Sequence, residues 1–75
     1  MEVNQVLDAK GLACPMPIVR TKKAMDTLES GQVLEVQVTD KGALADLTAW
    51  SAASGHTLLE HKEEADVLTF YIKKA

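Results

Sequence analysis

Polar and apolar residues alternate imperfectly over about residues 3–9, with Val3, Gln5, Leu7 and Ala9 facing one way and Asn4, Val6 and Asp8 the other. A period of two places successive side chains on opposite faces of a strand, so a short strand is expected over about residues 3–9, ended by Lys10-Gly11. From Pro15 the period lengthens. Ile18, Val19, Met25 and Leu28 recur at helical spacing among Arg20, Lys22, Lys23 and Asp26, and Ser30-Gly31 closes a helix predicted over residues 15–28. Residues 32–39 return to alternation, Leu34, Val36 and Val38 against Val33, Glu35, Gln37 and Thr39, the pattern of a half-buried strand. Asp40 then stands where it can cap a second helix over about residues 43–54, striped by Leu44, Leu47 and Trp50 and ended by Gly55. Two strands follow at 56–62 and 67–73, the latter alternating Leu68, Phe70, Ile72 against Val67, Thr69, Tyr71, with Glu63 to Asp66 as the polar turn.

The order β-α-β-α-β-β predicts an α/β (α+β) two-layer sandwich: a four-stranded mixed sheet with two helices on one face, its first β-α-β unit a right-handed crossover. No repeat, low-complexity tract or linker divides the 75 residues, so one domain over 1–75 is expected. A domain of this size buries only about 60% of the surface its unfolded chain exposes.

Composition narrows the function. With 47% hydrophobic and 25% charged residues the chain is of the soluble globular class. No apolar run approaches the ~18 residues of a membrane span, and Met1-Glu2-Val3-Asn4-Gln5 lacks the sections of a signal peptide, so a cytoplasmic protein is expected. A net charge of −3 argues against coating nucleic acid. The basic residues Arg20, Lys22 and Lys23 have neither interleaved aromatics nor a glycine-rich cradle, and suit an acidic partner better than phosphates.

The single cysteine, Cys14, precedes Pro15, and Pro17 follows two residues on. Proline suits a first helical turn and pushes the residue before it toward extended angles, so Cys14 is expected at a helix entrance, with Pro15 or Pro17 as the start. There the helix dipole would lower the thiol pKa, although two prolines leave few amides for the anion, Met16 N–H foremost. Burial as a small hydrophobe is the competing reading of Cys14. His56 and His61 do not make a metal site with one cysteine so remote in sequence, so no metal is expected, and no cofactor. Trp50 reads as core or core edge, and Met16 as an apolar lip beside the thiol or a packing residue.

The run CPMP after LDAKGLA, a basic helix, and then VTDKGALADLTAWSAASGH together resemble the TusA-like (SirA/YedF-type) sulfur-carrier family with its Cys-Pro-x-Pro signature, over essentially the whole chain. The resemblance implies a sulfurtransferase acting as a persulfide carrier. Cys14, in a motif with Pro15 and Pro17, would take sulfane sulfur from a donor protein, a cysteine desulfurase or rhodanese-type enzyme, and pass it to an acceptor protein. The acceptor pathway, whether tRNA thiolation, molybdenum cofactor, or sulfur or selenium metabolism, stays open. By the same resemblance Lys22 and Asp40 align with residues of the handover, against their plainer readings as a solvated helix face and a helix cap. Some relatives carry a second cysteine where this chain has Ser51, so an internal resolving thiol is missing. A monomer is expected, with neither membrane nor stable nucleic-acid binding. The alternative function is a redox-sensing or regulatory interaction module without enzymatic activity.

Overall fold

A computed structural model describes residues 2–75; Met1, the first residue of the stretch read above for a leader, lies outside them. The elements run β1 (Gln5–Ala9), α1 (Met16–Asp26), β2 (Val33–Val38), α2 (Ala43–Ser54), β3 (Thr57–Glu64) and β4 (Val67–Lys73), the order read from the sequence. The sheet order is β1-β2-β4-β3, with β1 parallel to β2 and the other two pairings antiparallel. This is the mixed sheet of the two-layer sandwich.

Alternation fixes which side chains meet the helices. Leu34, Val36 and Val38 on β2 stand opposite Ile72, Phe70 and Leu68 on β4, and all six are buried. Leu7 and Ala9 extend these rows onto β1. Met25, Leu28 and Leu47 close the layer from the helix side, while Ile18, Leu58 and Trp50 pack at its margin. The opposite face of the sheet carries Glu35 across from Tyr71 and Gln37 across from Thr69.

The helices are rotated from their expected faces. On α1 the buried residues are Pro17, Thr21, Ala24 and Met25, whereas Val19 is 39% exposed. Thr21 is tolerated inside because its hydroxyl donates to the Pro17 carbonyl at 2.7 Å. On α2 the buried stripe is Ala43, Leu47 and Ser51, and Leu44 is 37% exposed. Ser51 is buried with no hydrogen-bond partner for its hydroxyl among the described residues. Small side chains share the tight packing with Met25 and Leu47.

The ends also differ in part. α1 stops at Asp26 rather than Leu28; Thr27 is its C-cap, and Gly31, at φ +90°, instead turns the chain into β2, donating to the Lys74 carbonyl. Gly55 does end α2 as read, in the left-handed conformation at φ +81° that costs glycine little. β3 and β4 are joined by Ala65 and Asp66 alone, both at positive φ, +49° and +66°. Two left-handed central residues define a type I′ hairpin turn, for which Asn-Gly is the favoured pair. No helix among the described residues is long and apolar enough to cross a membrane.

The turn yields a test. Ala at positive φ is strained, so replacing Ala65-Asp66 by Asn-Gly (A65N with D66G) is expected to add about 1 kcal/mol and raise Tm by roughly 4–8 °C, read by thermal unfolding. A lowered Tm would mean that the hairpin closes differently.

Candidate functional site

Cys14 lies between β1 and α1, and is exposed. Because β1 and β2 are parallel, the chain leaves both at the same edge of the sheet, and the loops leading into α1 and α2 run beside each other. Two hydrogen bonds tie the loops together. Gly11 N–H donates to Thr39 Oγ1 at 2.9 Å, and Cys14 N–H donates to Asp40 Oδ2 at 3.1 Å. The other Asp40 oxygen accepts from Gly42 N–H at 3.1 Å, and its carbonyl accepts from Ala43 N–H at 3.1 Å. Asp40 is therefore not the N-cap of α2, which is Gly42; it forms an Asx turn two residues earlier while holding the backbone of Cys14. The cap reading of Asp40 is thus corrected: its carboxylate bridges the two loops instead of capping α2.

The peptide bond between Cys14 and Pro15 is cis. Pro15 is the N-cap of α1, so the helix starts at neither proline but at Met16, with Pro17 buried in its first turn. Met16 N–H, the amide expected to face the sulfur, donates instead to the Ala13 carbonyl at 2.9 Å. Pro15 and Pro17 have no N–H to offer.

The electrostatics consequently run opposite to the dipole expectation. The Cys14 thiol is held above its ordinary pKa, first by partial desolvation against its neighbours, then by Asp46, acting as both charge and hydrogen-bond acceptor, and last by the charge of Asp40. Asp46 stands in the first turn of α2, half-buried. A Cβ on Gly42 would sit 3.7 Å from Asp40 Oδ1 and 4.0 Å from Asp46 Oδ2, so the two carboxylates flank that glycine. The sequence reading missed Asp46; its position one helical turn beyond the Asp40-Gly42 entry was the available signal.

Lys22 is exposed on α1 and is not among the groups that act on the thiol. Arg20 and Lys23 are exposed beside it on the same helix. Met16 is 37% exposed in the first turn of α1, as an apolar lip would be. Cys14 lines neither of the two cavities found, of about 350 and 530 Å³; the first opens on the sheet face at Glu35, Lys62 and Tyr71, the second around Asn4 and Lys73. The described residues contain no cluster of three or more His, Cys, Asp or Glu side chains that could hold a metal. His56 accepts from Ala75 N–H through Nδ1 at 3.0 Å and lies 5.3 Å from Trp50, ring to ring, while His61 faces Phe70.

The family model described as Sulfurtransferase TusA matches residues 5–74. The chain belongs to the TusA family. Within it, the YrkI protein of Bacillus subtilis is 69% identical over 74 residues, 99% of each chain. The protein named Sulfur carrier protein TusA from Allochromatium vinosum is 46% identical over 74 residues, 99% of this chain and 97% of that one. The crystal structure of a SirA-like protein from Desulfitobacterium hafniense superposes with a TM-score of 0.80 at 28% identity, covering 92% of this chain and 95% of that one. The α+β architecture is thus that of a SirA-like fold, and membership of the TusA family makes the chain a sulfur carrier by family.

The raised thiol pKa has a kinetic consequence. Alkylation of Cys14 by iodoacetamide requires the thiolate, so its rate against pH is expected to reach its midpoint above that of an unstructured cysteine peptide in the same buffer. A midpoint below the peptide's would restore the dipole reading.

Proposed function

We propose that this TusA-family chain is a persulfide carrier working as a cytoplasmic monomer, with Cys14 as the atom that is loaded and unloaded. The observation that carries the reading is an exposed, lone thiol held at the junction of two helix entrances, lining neither of the two cavities found. A site of that shape suits a relay in which a partner protein, not a small substrate, approaches the sulfur.

Loading is a displacement. The Cys14 sulfur attacks the outer sulfur of a donor persulfide, a bond forms between them, and the donor's own S–S bond breaks, returning a thiol to the donor. Unloading repeats the step with Cys14 as the leaving group. Sulfur passes at the sulfane level throughout, so no oxidant or reductant is required. Asp40 positions the backbone of Cys14 for both steps, and Pro15 and Pro17 stiffen the segment that presents it. Lys22 contributes with Arg20 and Lys23 to a basic face that docks an acidic donor or acceptor. With Ser51 buried and no second thiol in the chain, the product leaves only through a partner.

Incubated with a cysteine desulfurase and cysteine, or with a rhodanese and thiosulfate, the protein is expected to gain one sulfur atom, seen by intact mass and removed by reductant. The Cys14→Ser variant gains none. Equal uptake by Cys14→Ser, or no uptake by wild type from either donor class, would leave the regulatory-module reading in its place.

A further inference from the structure

The loop from β2 to α2 is held from two sides. Three consecutive residues reach three different parts of the chain. Thr39 accepts from Gly11 N–H, Asp40 accepts from Cys14 N–H, and Lys41 Nζ donates to Glu63 Oε2 at 3.4 Å and to Asp66 Oδ1 at 3.3 Å. Both acceptors of Lys41 belong to the β3–β4 hairpin, Glu63 near the end of β3 and Asp66 in the turn. Strand order brings them within reach. β4 runs antiparallel to β2, with Leu68 opposite Val38, so the turn before β4 lies at the sheet edge where β1 and β2 end. In the order β1-β2-β4-β3, the loop after β2 is flanked by the Cys14 loop on one side and by the hairpin on the other.

The Lys41 side chain is 71% exposed, and an exposed ion pair is ordinarily weak because ordering a long side chain costs entropy. Here the backbone at both ends is set beforehand. Asp40 accepts from Gly42 N–H through Oδ1 and from Ala43 N–H through its carbonyl, which fixes the chain around Lys41. A turn of only two residues, both at positive φ, fixes the hairpin tip, and one ammonium serves two carboxylates there.

We propose that Lys41 is a positioning residue for Cys14: by anchoring the β2–α2 loop to the β3–β4 hairpin, it keeps the Asp40 carboxylate where it holds the Cys14 amide. Lys41 touches no reacting atom and acts through its neighbour Asp40. The hairpin thereby becomes part of the support of the thiol, although it contributes nothing to the chemistry. The consequence for sulfur transfer rests on the persulfide-carrier reading; the consequence for the Cys14 backbone does not, so the two succeed or fail separately.

Three changes test it. Lys41→Gln removes the charge, Lys41→Arg keeps it, and Glu63→Gln combined with Asp66→Asn removes both acceptor charges without touching the loop. In Lys41→Gln and in the hairpin double variant, amide hydrogen exchange at Cys14 is expected to quicken by about two- to fivefold, the factor that an exposed ion pair is worth. The β2 and β4 amides keep their wild-type rates, the triple variant shows no further increase, and Lys41→Arg exchanges like wild type. Loaded by a cysteine desulfurase with cysteine, and with the carrier as the varied substrate, Lys41→Gln is expected to lower kcat and leave KM unchanged, and Lys41→Arg to restore kcat. A lysine that docked the donor would raise KM instead. Should Lys41→Gln fail to fold by circular dichroism, the hairpin double variant decides by the same two readouts. Unchanged Cys14 exchange in the folded variants, or a loading defect that lies in KM, overturns the proposal. If the wild type takes up no sulfur, the carrier reading fails and the exchange comparison alone decides the role of Lys41.

Discussion

Parallel pairing of β1 with β2 is the constraint from which the site follows. The register from Gln5↔Leu34 to Ala9↔Val38 brings both strands to an end at one edge of the sheet, and each continues into the loop that enters a helix. Antiparallel pairing would have sent the two loops to opposite ends. Once the loops run together, Thr39 and Asp40 can accept the N–H groups of Gly11 and Cys14, across 28 and 26 residues of chain. The crevice beyond the carboxyl ends of parallel strands is the usual ligand position in open α/β sheets. Here the exposed Cys14 lies at that end.

The chemistry of that edge depends on which groups the helix entrances actually present. A helix N-terminus stabilises an anion through unpaired N–H groups, and at α1 two prolines supply none while Met16 N–H turns back to Ala13. Against so weakened a positive end, partial desolvation first, then Asp46 and Asp40, raise the thiol pKa above its ordinary value.

Strand positions were the most legible part of the chain because alternation is a local property. Leu34, Val36, Val38, Leu68, Phe70 and Ile72 were all assigned to one face and all lie buried there. The helix faces were legible in part: hydrophobicity pointed to Met25, Leu28 and Leu47, which are buried, and also to Val19 and Leu44, which are not, while Pro17, Ala24, Ala43, Ser51 and a threonine whose hydroxyl is satisfied within its own helix complete the contact. Cys14 as an exposed residue at a helix entrance could be read from its prolines. The direction of its electrostatics could not, because it is set in the folded chain by desolvation and by Asp46, which is 32 positions away and in sequence resembles any polar residue on a helix surface. Lys22 stays on the outer face of α1, where its charge can serve docking but does not bear on the sulfur.

The central claim is that one carboxylate, Asp40, holds the backbone of the reactive cysteine to the entrance of α2. Amide hydrogen exchange resolved at Cys14, compared between wild type and Asp40→Ala, addresses it directly. The account predicts a protected Cys14 amide in wild type, and in the variant the loss of that protection with the β2 and β4 amides unchanged. A wild-type Cys14 amide that already exchanges like an unstructured peptide, or protection that survives removal of Asp40, would contradict it.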